Sequence, residues 1–174
     1  LVNNINDKFD FLIGNPPYIG HKSVDKSYSK ILKKRYPDVY NDKGDVLYCF
    51  FSKAINCLNL VGKLSFIVSR YFCESRSGEK LRKLIVYNTK INKIIDFYGI
   101  RPFKNIGIDP IIMFFQKTKN IMENKIEIIR PQNNKICDSS FFYYKDMCRR
   151  FSISQNSLKE DGWIFVDEIE KSIL

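Results

Sequence analysis

Short apolar runs alternate with longer stretches of helical periodicity along the first two-thirds of the chain. The apolar runs predict buried strands at residues 9–13, 64–68, 93–98 and 110–116, and residues 125–130 predict a further strand of alternating character. The stretches between them predict helices at residues 28–36, 45–61 and 78–88. Strands that alternate with helices indicate an α/β sheet rather than a helical bundle or a β-sandwich.

Residues of known capping preference mark the ends of the longest predicted helix. Asp45 is a suitable N-cap, and Gly62 stands where a C-terminal cap is expected. Pro37 must end the helix before it. Beyond Phe151 the periodicity weakens, and local charge there is acidic, unlike the rest of the chain. We therefore place that stretch away from any surface that binds a polyanion.

Composition adds a class of partner to this picture. The 174 residues are 44% hydrophobic and 14% aromatic, which suits one folded domain and excludes a largely disordered chain. Lys and Arg number 29 against 19 Asp and Glu, so the formal net charge is +10. Such a charge favours a polyanionic partner, and DNA, RNA and anionic lipid all remain open on this ground.

Cysteine and histidine usage excludes several kinds of site. The five cysteines include no Cys-x-x-Cys pair, so we interpret them as small buried residues in a reducing compartment. His21 is the single histidine, which excludes a histidine-rich zinc site, and we expect no metal site. No apolar stretch approaches the ~18 residues of a membrane span, and there is no signal peptide, so we expect a soluble, cytoplasmic protein.

The sharpest local feature is the turn Asn15-Pro16-Pro17-Tyr18, directly after the first predicted strand. Two prolines make this turn rigid and leave the carbonyl groups of Asn15 and Pro16 free to accept hydrogen bonds. The Asn15 side chain adds another acceptor, and Tyr18 adds an aromatic face. Such a group suits recognition of an exocyclic amino group on a stacked base. Asn-Pro and Pro-Pro are also ordinary turn formers, so a purely structural turn is the alternative.

An ordered series of segments extends this motif. Residues 9–18 read FDFLIGNPPY, and four further segments follow: 43–48 (KGDVLY), 60–68 (LVGKLSFIV), 94–97 (IIDF) and 111–117 (IIMFFQK). The series resembles the N6-adenine-specific DNA methyltransferases of restriction-modification systems, an amino-methyltransferase family with the Asn-Pro-Pro-Tyr motif that includes enzymes fused to a nuclease. The resemblance covers roughly residues 7–118.

This resemblance implies a fold and a chemistry. The fold is a partial Rossmann-like methyltransferase fold, a three-layer α/β/α arrangement whose mixed sheet places strand 110–116 antiparallel between strands 64–68 and 93–98. The reaction transfers a methyl group from S-adenosyl-L-methionine to N6 of an adenine flipped out of double-stranded DNA. The expected location is the cytoplasm of a bacterium or archaeon.

Residue roles follow from matching the motif. Asn15 Oδ1 and the Pro16 carbonyl would accept the two N6 hydrogens, and Tyr18 would stack on the adenine. Asn15 and Pro17 would border the cofactor. Phe115 would contact the base from another side, although an ordinary core residue explains it nearly as well.

The chain also departs from the family pattern. A Gly-rich cofactor loop and an acidic residue should precede the motif, yet about fourteen residues stand before Asn15 and contain no such loop. Residues 1–120 therefore correspond to the second half of a catalytic domain. Residues 121–174 are interpreted as a trailing strand and a linker towards an absent target-recognition domain. We expect a fragment that is inactive alone and able to self-associate through an unpaired strand edge.

Residues 21–36 form a basic segment after the motif. It carries six cations against Asp25, and of these Lys22, Lys33, Lys34 and Arg35 are the candidates for binding DNA phosphates. A solvated helix face explains the same charges equally well.

Other classes of function stay open. A non-catalytic, basic nucleic-acid-binding module is one alternative, and part of a fused restriction-modification endonuclease is another. A nuclease centre needs clustered carboxylates, whereas Pro37-Asp38 and the segment 123–125 (ENK) are far apart in sequence. A methyltransferase acting on RNA or on protein glutamine shares a similar tetrad and is the enzyme most easily confused with this one.

Overall fold

The computed structural model describes residues 8–41, 43–102, 107–119, 121, 123–132 and 147–167. Within these ranges the chain forms six strands and four α-helices. The strands are β1 (Phe9–Gly14), β2 (Leu58–Ser69), β3 (Thr89–Asp96), β4 (Pro110–Lys117), β5 (Lys125–Pro131) and β6 (Cys148–Ser154). The helices are α1 (Lys26–Arg35), α2 (Val46–Cys57), α3 (Tyr71–Glu74) and α4 (Glu79–Asn88).

All six strands belong to one mixed sheet in the order β1-β2-β4-β3-β5-β6. The pairs β1 with β2 and β3 with β5 are parallel, while β4 runs antiparallel to both β2 and β3. The prediction that strand 110–116 inserts antiparallel between its two neighbours is therefore confirmed. Because β1, β2, β3 and β5 run in the same direction, the loops that follow them share one edge of the sheet.

The main core lies between the sheet and the helices on one face. Inward side chains of every second residue of β2 and β4 pack with α2 and α4. The aromatic ring of Phe51 on α2 is the centre of this packing, with ring centroids of Phe66, Phe72 and Phe115 at 5.1, 5.7 and 5.8 Å. Helix α1 packs on α2 through a separate cluster that includes Leu32 and Val46. The α/β class is confirmed, and the described residues supply the sheet and one helical layer.

The predicted helix 45–61 is too long. Helix α2 ends at Cys57, and β2 begins at Leu58, six residues before the predicted start. Leu58 is buried, whereas Leu60 and Val61 are exposed. Residues 58–61 therefore fit the start of an extended strand better than the end of a helix that faces the core. Gly62 is not a helix cap: a Cβ there would stand 3.0 Å from the Phe9 carbonyl oxygen, so glycine allows β1 to approach β2 closely.

The first strand is in the predicted place, but the prediction that it is fully buried is wrong for one of its faces. Phe9, Phe11 and Ile13 are 37%, 69% and 87% exposed. Among the described residues β1 pairs only with β2, and no helix covers the face from which these side chains project. An apolar strand with one unpaired edge and one uncovered face is typical of a surface that contacts other protein.

The later part of the chain contributes to the same sheet. Strand β5 is found where it was predicted, and β6 pairs antiparallel with it over seven residues. The boundary placed at residue 120 thus falls between two strands of one sheet. Four of the five cysteines are free and buried, as interpreted, while Cys137 lies outside the described residues. No described helix is both long and apolar enough to cross a membrane.

Candidate active site

The Asn-Pro-Pro-Tyr turn leaves the sheet at the end of β1, on the edge where the parallel strands end. Asn15 and Pro17 are exposed, Pro16 is buried, and Tyr18 is half-buried against the main core. The turn is therefore anchored by Pro16 and Tyr18 and presents Asn15 and Pro17 outward. A rigid turn with two anchored residues can thus hold the Asn15 acceptor at the protein surface.

A hydrogen bond fixes the Asn15 side chain. The Tyr18 hydroxyl lies 2.8 Å from Asn15 Oδ1 and 3.1 Å from the Ile67 carbonyl oxygen on β2, and it donates to these acceptors. Partial burial raises the pKa of Tyr18, which keeps the hydroxyl protonated and able to donate. Asn15 Oδ1 can accept a second hydrogen bond while it holds this one. Tyr18 thus orients the acceptor as well as offering its ring.

The chain after the turn is tied to helix α2. The Asp45 carboxylate caps this helix by accepting from the Leu47 N–H at 2.8 Å, and the same oxygen accepts from the Ile19 N–H at 3.1 Å. The Val46 N–H in turn donates to the Ile19 carbonyl oxygen at 3.0 Å. Desolvation raises the pKa of Asp45, although these two N–H groups act in the opposite direction. Residues 43–48 therefore hold the backbone at Ile19, where the chain leaves the turn.

Gly14 fits close packing at the base of the turn. It pairs with Phe66 across β1 and β2, and a Cβ at this position would stand 3.0 Å from the Phe66 ring. The sheet and the turn therefore meet without a side chain between them. Glycine here lets the backbone of the turn lie directly over the core.

Phe115 is placed differently from the other candidates. It is 2% exposed, lies in the main core and packs edge-on against Phe51. Phe115 therefore occupies the position of an ordinary core residue, the alternative to a contact with the base. The neighbouring Phe114 belongs to the smaller cluster on the other face of the sheet.

The basic candidates separate into two places. Lys33, Lys34 and Arg35 form the last turn of α1, where cations also favour the negative end of the helix dipole. Lys22 lies apart from them in a short 3-10 turn that follows the motif. Both interpretations of the α1 cations, phosphate binding and a solvated face, are compatible with their positions.

Lys22 lines a cleft of about 380 Å³ beside the Asn-Pro-Pro-Tyr turn. Three segments form its walls: the chain after β1, the start of α2 and the loop after β2. Its principal side chains are those of Lys22, Lys43, Tyr48, Tyr71, Arg76 and Ser77. The Asp45 carboxylate that holds the turn also lines this cleft, so the two features share a support.

Arg82 holds the loop that carries Arg76 and Ser77. Its buried guanidinium donates to the carbonyl oxygens of Phe72 at 2.6 Å and Ser75 at 2.8 Å. It also donates twice to the Glu160 carbonyl oxygen, at 2.6 and 2.8 Å. One side chain on α4 thus connects the loop after β2 with the last described segment of the chain.

Part of this cleft is not predicted by the sequence. The sequence marks Lys43 only as part of a helix-opening segment and gives no functional signal for Tyr71, Arg76 or Ser77. No spacing rule brings residues 22, 43 and 76 together, because they meet only through the parallel order of β1 and β2. Of these residues, Lys43 had the one available signal, a cation two residues before the helix N-cap Asp45.

The carboxylates considered for a nuclease lie in different places. Asp38 accepts a hydrogen bond from Ser52 Oγ at 2.8 Å and lines a cleft with Glu79. Glu123 lines another cleft at the start of β5 with Lys125. Within the described part of the chain, no three His, Cys, Asp or Glu side chains are grouped to hold a metal ion.

Separate variants of Tyr18 should distinguish its two contributions. Tyr18→Phe keeps the ring and removes the hydrogen bond to Asn15, which we expect to lower kcat about 2- to 10-fold with little change in DNA affinity. Tyr18→Ala also removes the ring, which is worth about 1–3 kcal/mol if a base stacks on it. Steady-state methylation kinetics together with DNA binding provide the check. Equal kinetics for both variants would contradict a stacking role.

Comparison with known proteins supports the resemblance noted in the sequence. The chain is 32% identical over 135 residues to the Type II methyltransferase M.BstVI of Geobacillus stearothermophilus, which covers 76% of this chain and 24% of the relative. It is 30% identical over 115 residues to the Type II restriction enzyme and methyltransferase RM.Eco57I of Escherichia coli, covering 64% of this chain and 11% of that protein. The chain therefore spans about a quarter or less of the length of these relatives.

A solved structure and a family model agree with these relatives. A class I S-adenosylmethionine-dependent methyltransferase from Listeria monocytogenes, described as putative, superimposes with a TM-score of 0.58 at 19% identity, over 82% of this chain and 42% of that one. This likeness concerns the fold. The model of the Eco57I restriction-modification methylase family matches residues 2–103. That match covers more than half of the chain, which belongs to the Eco57I restriction-modification methylase family.

Proposed function

We propose that this chain forms the target-base side of a DNA methyltransferase that modifies N6 of an adenine flipped out of the duplex. The observation that carries the proposal is the outward-facing Asn15, held on a rigid turn by Pro16 and oriented by the Tyr18 hydroxyl at 2.8 Å. Adenine N6 is inaccessible to a methyl donor within the base stack, so the base must leave the helix. The turn lies where the parallel strands of the sheet end, and its exposed Asn15 is accessible to such a base.

Two acceptors on this turn suit the two hydrogens of an amino group. Asn15 Oδ1 and the Pro16 carbonyl oxygen would each accept one N6 hydrogen. As the nitrogen attacks, these bonds keep its lone pair from delocalising into the ring and strengthen as it becomes tetrahedral. Their main contribution is then to the transition state rather than to the binding of DNA.

S-adenosyl-L-methionine supplies the methyl group in this proposal: the N6–CH3 bond forms as the S–CH3 bond breaks, S-adenosyl-L-homocysteine leaves, and the nitrogen then loses one proton to water. The exposed surfaces of Asn15 and Pro17 at the end of β1 would form one wall of its site. Asn15 would then stand between the base and the methyl donor. The described residues hold no Gly-rich loop for the remainder of the cofactor, so we assign that part of the site to other regions of a parent protein.

The open edge of β1 fits the same proposal. Phe9, Phe11 and Ile13 are exposed on a strand that is unpaired on one side within the described ranges. We propose that other parts of a longer parent chain cover this strand, and that the isolated chain self-associates through it. The length of the relatives, of which this chain covers 24% or less, supports a larger parent.

The basic end of α1 should contribute to DNA affinity. Neutralising Lys33 and Lys34 with glutamine is expected to weaken binding to all duplexes and to lower the salt dependence by about one phosphate for each residue. The measurement is DNA affinity as a function of salt concentration. Lys125→Gln, an exposed lysine at the opposite edge of the sheet, is the control. An unchanged salt slope in the double variant would support the solvated helix face instead.

The decisive experiment for the proposed chemistry identifies the product. The parent protein is incubated with duplex DNA and S-adenosyl-L-methionine that carries a deuterated methyl group, and the DNA is digested to nucleosides. Mass spectrometry should find the label in N6-methyladenine. Label in N4-methylcytosine would show that the target base is cytosine instead of adenine, and no label in DNA would refute the proposal.

A parent that also cleaves DNA is the second candidate. The relative RM.Eco57I, named as both restriction enzyme and methyltransferase, favours it. In that case cleavage should depend on Mg²⁺ and survive Asn15→Ala, because the carboxylates of this chain do not form a nuclease centre in its described part. Loss of cleavage on chelation, with methylation retained, would separate the two activities.

A further inference from the structure

We infer that the cleft formed by Lys22, Lys43 and Arg76 binds a phosphate of the DNA backbone next to the extruded adenine. This inference rests on the function proposed above and adds a defined contact to it. The phosphate would lie on the strand that carries the target base, because the cleft and the Asn-Pro-Pro-Tyr turn open at the same edge of the sheet.

The charge of the cleft favours an anion. Three cationic side chains line it against one carboxylate, that of Asp45. One oxygen of this carboxylate, Oδ1, accepts from two backbone N–H groups, those of Ile19 and Leu47. Three cations against one carboxylate leave the cleft with an excess of positive charge.

The three cations are also without protein partners in the described part of the chain. Their side chains form no ion pair or hydrogen bond there, whereas Arg70, Arg101 and Arg130 at the same edge of the sheet are all paired with carboxylates. Arg76 and Lys43 are exposed, so they are free to reach a ligand. A guanidinium with no internal partner can bind a phosphate in a bidentate manner.

Neutral donors complete the site. The hydroxyl groups of Tyr48 and Ser77 lie 3.1 Å apart on one wall, and Ser75 Oγ is 3.3 Å from Ser77 Oγ. Hydroxyl groups commonly bind phosphate oxygens in protein–DNA contacts. Arg82 fixes the loop that carries Ser77 and Arg76, so these donors are held in place before DNA arrives.

The connection to the turn defines which phosphate is meant. Asp45 joins the cleft to Ile19, one residue after Tyr18, and His21 and Lys22 continue directly into the cleft. Lys22 thus follows Asn15 by seven residues along a path tied to the cleft, and for this reason we assign the phosphate to the nucleotide whose base Asn15 holds. A phosphate gripped here would help to keep the extruded nucleotide in position, as contacts that fix register and orientation do.

The test pairs protein variants with modified DNA. Single neutral methylphosphonates are placed at successive positions on either side of the target adenine, and affinity for the parent protein is measured by fluorescence anisotropy. Wild type should lose affinity most at one position adjacent to the adenine. In the double variant Lys43→Gln with Arg76→Gln, the same methylphosphonate should cause little further loss, and the slope of log affinity against log salt should fall by about 1, the value for one phosphate.

Lys90→Gln is the matched control, since Lys90 is exposed near the start of β3 at the opposite edge of the sheet. Its methylphosphonate profile should match that of wild type. An equal penalty at every position in wild type and double variant would overturn the inference, as would an unchanged salt slope. Equal coupling on single-stranded RNA of the same sequence would assign the cleft to RNA instead and would also overturn it.

This result is independent of the chemistry. Binding is measured without S-adenosyl-L-methionine, while the product analysis reports methyl transfer. If the methylphosphonate and the double variant are coupled but no N6-methyladenine forms, the phosphate site stands and the proposed reaction is refuted. If N6-methyladenine forms but the two are not coupled, the reaction stands and the phosphate site is refuted.

Discussion

Replacing Asn15 with alanine in the parent enzyme is expected to lower kcat for methyl transfer by ~10²–10³ while leaving DNA affinity near that of wild type. The side-chain acceptor is lost, and its bond to N6 is strongest in the transition state. The turn should keep its position in this variant, because the buried Pro16 still anchors it. Incorporation of labelled methyl groups into DNA, measured with saturating DNA and cofactor, gives the change in kcat.

Two further variants show whether this loss is specific. Asn56→Ala removes an exposed asparagine from helix α2 and should leave kcat unchanged. Asn15→Asp retains an acceptor oxygen at the same place and should keep more activity than Asn15→Ala. If Asn15→Ala methylated DNA at the wild-type rate, the turn would be structural and its proposed role in the chemistry would be refuted.

Truncation of Arg82 should have the largest effect on stability. Arg82→Ala leaves the buried carbonyl oxygens of Phe72 and Ser75 and the partly buried carbonyl oxygen of Glu160 without this donor, and each buried orphaned group costs about 1–3 kcal/mol. Because water can enter the space left by the side chain, we expect a total loss of about 3–5 kcal/mol in the free energy of unfolding. Urea-induced unfolding of the variant and of wild type measures this difference.

Lys83→Ala is the matched comparison for Arg82. Lys83 is the next residue on α4 and pairs with the Glu160 side chain at 2.7 Å, but both groups are about half exposed. Such a surface ion pair is worth about 0.2–1 kcal/mol. A destabilisation by Arg82→Ala no larger than that of Lys83→Ala would show that the loop after β2 does not depend on this side chain.

The sequence predicted the sheet well because its inner strands are strongly apolar. The runs at β4 and β5 and the antiparallel insertion of β4 agree with the structure. The start of β2 was missed because residues 46–57 and 58–61 together keep an apolar pattern that a helix can also satisfy. Val61 has a positive φ of 62°, a local irregularity that no propensity indicates.

Strand β6 was missed for a related reason. Its exposed positions include Arg150 and Ser152, and only Cys148 and Ile153 are buried, so its alternation is weak. It forms because β5 offers a partner along seven residues, which is a tertiary rather than a local cause. Long-range pairing of this kind is not encoded in a window of neighbouring residues.

The candidate site likewise combines features set by local sequence with features set by tertiary packing. The Asn-Pro-Pro-Tyr turn could be identified from four residues and their context, since its rigidity is local. The hydrogen bond from Tyr18 to Asn15 and the burial of Phe115 depend on packing against β2 and α2. The cleft at Arg76 depends on the order of two parallel strands, which the sequence does not reveal through spacing.

The distance from Asn15 Oδ1 to N6 of the target adenine tests the central claim most directly. It is measured in a structure of the parent protein on its DNA site with a non-reactive analogue of S-adenosyl-L-methionine. We predict an extruded adenine with N6 about 2.7–3.2 Å from both Asn15 Oδ1 and the Pro16 carbonyl oxygen. An adenine still stacked in the duplex, or an extruded base whose amino group contacts neither acceptor, would contradict the account.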